Sequence, residues 1–107
     1  MNPANAVELE AKDVRFYSEG DEAAFFEWLD KIPCVSNYRG EGRVLLISVD
    51  RGRADEDSLR ELLAIFFRYR IAMRQLSIFD SEAVAEWFRS PASYWFDAVF
   101  GVVTPQL

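Results

Sequence analysis

The spacing of apolar residues along this chain switches repeatedly between a repeat of two and a repeat near 3.6. That alternation limits the fold more than any single motif does. Asp13 to Tyr17 alternates, with Val14 and Phe16 against Arg15 and Tyr17, and reads as a strand. Ser18 with Asp21 three residues later is a helix-start signal. Phe25, Trp28, Leu29 and Ile32 then follow at helical spacing up to Pro33, so residues 21–32 read as an amphipathic helix. Residues 35–39 and 43–49 read as two strands joined through Gly40, Glu41 and Gly42. Residues 55–70 carry Leu59, Leu62, Leu63 and Phe66 on one helical stripe, widened by Ile65 and Phe67. A last strand is predicted over 73–79. Two short helices follow, one after Asp80 and one entered at Ser90–Pro91 and ended by a left-handed Gly101.

The predicted order is β-α-β-β-α-β plus a helical pair. This is an α+β, ferredoxin-like βαββαβ two-layer sandwich with two short C-terminal helices. Residues 1–12 read as a flexible leader, 13–101 as a single domain and 102–107 as a loose tail. In a two-layer arrangement one sheet face starts bare. Tyr17, Val44 and Leu46 are apolar for a wet face, so a cover is expected. The C-terminal aromatic helices are the nearer candidates, and a second copy of the chain is the alternative.

Composition removes whole classes of chemistry. The chain of 107 residues has no histidine and one cysteine, Cys34. Ser-His-Asp and Cys-His catalysis are therefore closed to it, as are zinc sites built from His or several Cys. No catalytic residue, cofactor or metal site is expected. The formal charge is −6, which disfavours nonspecific nucleic-acid binding. Met1 to Lys12 has neither a cationic start nor an apolar run, and no stretch is long enough for a membrane span. A cytoplasmic protein is expected, monomeric or homodimeric, with no membrane association. Of twelve cations only Lys12 and Lys31 are lysines. Arginine grips carboxylates in a planar fork, but a compositional bias of the genome is the preferred explanation of such usage.

The remaining constellations are modest. Asp55, Glu56 and Asp57, with Asp50 close by, lack calcium-loop spacing and suit the first turn of a helix. They also offer an acidic patch to a partner. Cys34 follows a helix end, where the dipole does not activate a thiol, and reads as a core filler. Arg51 and Arg53 flank Gly52 without a phosphate-loop pattern, as expected of a solvated loop. Aromatic residues concentrate near the C-terminus. Tyr94 and Trp95 beside Arg89 have the composition of a binding hot spot, though short helices also need bulky residues to stay attached.

The segments AFFEWLDKIPCV (24–35), LLAIFFRYRIAMRQLSIF (62–79) and SYWFDAVFG (93–101) resemble stretches of small bacterial proteins of the toxin-immunity kind. That resemblance implies a small, acidic, cytosolic, non-enzymatic protein that caps the active surface of a toxin encoded next to it. Tyr94, Trp95, Arg89, Asp55, Glu56 and Asp57 are the partner-binding residues expected from the sequence. The alternative is a homo-oligomeric ferredoxin-like domain that senses a small ligand or regulates another protein.

Overall fold

The computed structural model describes residues 5–101. Its first strand, β1 (Ala6–Lys12), lies within the segment expected to be a leader. Val7, Leu9 and Ala11 point inward there, whereas Glu8, Glu10 and Lys12 point to solvent. The strand ends at Asp13, whose φ of 53° turns the chain. Residues 13–17 are consequently not a strand. Their alternation is real, but they have no ladder to join, and Phe16 instead packs against Phe25, Phe26 and Tyr69.

Helix α1 (Glu19–Lys31) is capped by Ser18, whose Oγ accepts from the Asp21 backbone N–H at 3.0 Å. Strands β2 (Val35–Glu41) and β3 (Val44–Asp50) form a hairpin. Its two-residue turn starts at Gly42, φ +62°, a conformation that a side chain would strain. β3 is central and antiparallel to both neighbours, giving the order β1-β3-β2. Val7, Leu9 and Ala11 stand opposite Val49, Ile47 and Leu45 on the buried face. Helix α2 (Glu56–Arg68) is capped by Asp55, which accepts from the Ser58 N–H at 2.9 Å. Leu59, Leu62, Leu63, Ile65 and Phe66 are fully buried in one core with Phe25, Leu29 and Ile47.

The fourth strand expected at 73–79 is a 3-10 helix, Arg74–Phe79, so the described sheet has three strands. Met73, Leu76 and Phe79 are buried at a spacing of three, the repeat of a 3-10 turn. Gln75 takes over part of the missing strand's work. Its side-chain oxygen accepts from Glu10 N–H at 2.8 Å, and its Nε2 donates to Glu10 O at 2.9 Å. One amide side chain thus closes the free edge of β1 as a backbone residue would.

Two short helices, α3 (Ala85–Phe88) and α4 (Phe96–Phe100), end the described chain. They do not cover the open sheet face. Trp87 and Trp95 stack with Arg60, and Tyr94 with Phe67, so this segment lies along α2. The open face is held by charge instead. Arg39 of β2 pairs with Glu8 of β1 at 3.0 Å and with Glu41 at 3.1 Å. Its side chain spans β3 and helps bury Leu46. Gly101 has φ −59° and is not the left-handed terminator expected. The predicted tail 102–107 and the first four residues of the predicted leader lie outside the described residues.

Candidate functional site

Four of the six residues expected to bind a partner, Asp55, Glu56, Arg89 and Trp95, are engaged within the fold. Asp55 is occupied as the cap of α2, and Glu56 pairs with Arg60 at 2.8 Å. Asp57 is exposed on the first turn. Among the described residues no group of three or more His, Cys, Asp or Glu side chains is placed to hold a metal ion. Arg89 pairs with Asp80 at 2.8 Å and lies 4.9 Å over the Phe100 ring, so its contacts are not with Tyr94. Trp95 is only 5% exposed, and its Nε1 donates to Phe88 O at 2.7 Å. It is an internal strut between α3 and α4. The cation that serves the aromatic group is Arg60, 4.3 Å over the Trp87 ring and 5.8 Å over Trp95.

Tyr94 alone of the aromatic pair reaches solvent, at 52% exposure. Its ring stands edge-on to Phe67 at 5.0 Å, and Phe67 is itself 55% exposed. The two rings border a groove of about 680 Å³ lined by Trp28, Ala64, Phe67, Arg68, Arg70 and Tyr94. Trp28, on the same groove, donates its Nε1 hydrogen to Glu61 at 2.7 Å, linking α1 to α2. Burial pushes the Tyr94 hydroxyl above its ordinary pKa, Glu61 adds to the rise and Arg60 opposes it. The phenol therefore stays neutral at physiological pH, able to donate or accept a hydrogen bond at the groove's rim.

Phe67, Trp28, Arg68 and Arg70 did not stand out as binding residues in the sequence. One signal was present for Phe67. At 100° per residue it falls just past the arc that Leu59, Leu62, Leu63 and Phe66 bury, so a large ring there must face a neighbour or water. Trp28 read as core, whereas it is half-buried with its indole N–H engaged at the surface.

Cys34 is buried, as its sequence position implied. Burial pushes its thiol from about 9.0 up to about 11, only partly opposed by the neighbouring Ser58 hydroxyl. Folding therefore favours the neutral thiol. Its contribution to stability is fully present below the ordinary thiol value and is lost as pH rises from about 9.0 to about 11. Urea midpoints measured across that window are expected to fall less steeply in Cys34→Ala than in the parent. Parallel curves would refute this account.

No helix among the described residues is long and apolar enough to cross a membrane. Compared with protein-family models, curated proteins and solved structures, the chain matches none.

Proposed function

We propose that the chain is a non-enzymatic, cytoplasmic protein-binding module that docks through the Phe67–Tyr94 groove. We take the partner to be a bacterial toxin, as the immunity-type resemblance implies. The observation that carries this reading is the exposed pair Phe67 and Tyr94, edge-on to each other in a groove that Trp28 also lines. Phe67 is on α2 and Tyr94 in the turn before α4, and with arginines beside them these half-exposed aromatics have hot-spot composition. The charge of −6 supports long-range encounter with a basic toxin, although the charged residues lining the groove itself are Arg68 and Arg70. In this reading the scaffold is a ferredoxin-like sandwich that has traded its last strand for the 3-10 helix. The ion-paired sheet face favours a monomer over a sheet-to-sheet dimer.

Co-expression with the product of the adjacent upstream reading frame tests the proposal. A stable complex that protects the cell is expected. Phe67→Ser with Tyr94→Ser should weaken it about a hundredfold or more, given hot-spot energies of about 2 kcal/mol each. Both side chains are half exposed, so the double variant should unfold within about 1 kcal/mol of the parent. Absence of a complex, or a double variant that binds as tightly as the parent, would overturn the reading.

A further inference from the structure

A second cleft, of about 530 Å³, lies on the other side of Arg68 and Arg70 from the aromatic groove. Arg15 enters it from the loop after β1, and Arg68 and Arg70 enter from the end of α2, with Tyr17 and Tyr69 as neighbours. Three of the ten arginines of an acidic chain thus share one concavity. None of the three forms an ion pair among the described residues, a state they share with Arg43, Arg51, Arg53 and Arg74, whereas Arg39, Arg60 and Arg89 are paired.

Two acids, Asp13 and Asp21, share the cleft, so its three arginines outnumber its carboxylates by one. Asp21 is committed to structure: Oδ1 accepts from the Tyr69 hydroxyl at 3.0 Å and Oδ2 from the Tyr17 N–H at 2.9 Å. Its role is to fix the tyrosine walls. Asp13 also lines the cleft but pairs with none of its arginines. With neither acid ion-paired to them, the three guanidinium groups keep their donors free for an anion, at a site whose formal charge is +1.

The backbone of Arg70 adds an independent observation. Helix α2 ends in a Schellman motif, with Ile71 N–H on Phe66 O at 2.9 Å and Arg70 N–H on Phe67 O at 3.3 Å. The left-handed position of that motif normally falls to glycine. Here it is Arg70, with φ 59°. The dipole of α2 accounts for cations in its last turn, but it does not require a strained side chain at this one position. Nor does it explain Arg15, which comes from another element.

We propose that the cleft is a binding site for a small phosphate monoester, with Arg15, Arg68 and Arg70 on the phosphate oxygens. One carboxylate is satisfied by a single guanidinium fork. A dianionic phosphate group offers three terminal oxygens and suits three donors. The volume fits a ligand of mononucleotide or sugar-phosphate size. Tyr17 also lines the cleft and is 86% exposed. The long-range field of a chain at −6 repels polyanions, so a compact anion is favoured over nucleic acid.

The test is calorimetry and arginine Nε chemical-shift titration of the full chain with inorganic phosphate, AMP, adenosine and citrate at matched ionic strength. Saturable binding of phosphate and AMP is expected, with none for adenosine and little for citrate. Arg15→Gln and Arg68→Gln should each weaken AMP by about tenfold or more, the scale of a lost charged hydrogen bond. Arg70→Gly should weaken AMP while raising the thermal midpoint by a few degrees, because it relieves the left-handed side chain. The Phe67→Ser, Tyr94→Ser variant should bind AMP as the parent does, which separates this site from the docking groove. Failure of phosphate and AMP to saturate, preference for citrate, or parental affinity in the Arg15→Gln, Arg68→Gln double variant would each overturn the proposal.

Discussion

Trp95→Ala is expected to destabilise the protein by about 3–5 kcal/mol, the range for deleting a buried aromatic side chain. The indole fills the space between α3 and α4, meets Trp87 at 5.9 Å and Tyr94 at 4.9 Å, and donates to the Phe88 carbonyl. Removing it opens a cavity and strips Phe88 O of that donor at the same time. The neighbouring Tyr94→Ala should behave in the opposite manner: a small loss of stability and a large loss of partner affinity. Urea unfolding of both variants separates strut from contact. A Trp95→Ala midpoint close to the parent's would show that the residue is not structural and would restore it to the docking surface.

Gln75→Ala is expected to lower stability by about 1–3 kcal/mol, since three hydrogen bonds go and each is worth about 0.5–1.5 kcal/mol before solvent recovers part of it. Two of them close the β1 edge at Glu10, and the third ties Gln75 Nε2 to Ala72 O at 2.8 Å. The Glu10 amide should exchange its hydrogen faster, and the newly open edge should promote self-association at high concentration. Gln75→Glu gives a sharper reading. A carboxylate can accept from the Glu10 N–H but offers the Glu10 carbonyl no donor. Protonation at acidic pH returns one. The Gln75→Glu defect should therefore shrink, relative to the parent, as pH falls through the carboxylate range. Unchanged Glu10 exchange in Gln75→Ala would refute the edge-closing role.

Much of the layering was legible in the sequence because it depends on local repeats. The α1 and α2 stripes, the Ser18 cap and the β2–β3 hairpin all follow from residues close in the chain. β1 reads as a polar leader because three of its four outward residues, Glu8, Glu10 and Lys12, are charged and its inward face includes the small Ala11. The 73–79 segment misled for a related reason. A repeat of two and a repeat of three share Leu76, and only the burial of Met73 and Phe79 with it distinguishes them. Of the expected partner-binding residues, Tyr94 lies on the groove, Trp95 is turned inward, and Arg89 is bound to Asp80. Exposure of adjacent aromatics depends on which helix the segment meets, and adjacency in sequence does not carry that information.

By itself the sequence determined which chemistry is closed to this chain, since a residue type that is absent cannot be supplied by folding. It also determined where its two long helices lie, because caps and apolar stripes act over one or two turns. Only the tertiary structure decided which charges are paired and which are left unpaired in a common cleft. Arg15 lies more than fifty residues before Arg68 and Arg70, and electrostatic meaning depends on distance through space, which the chain order does not encode.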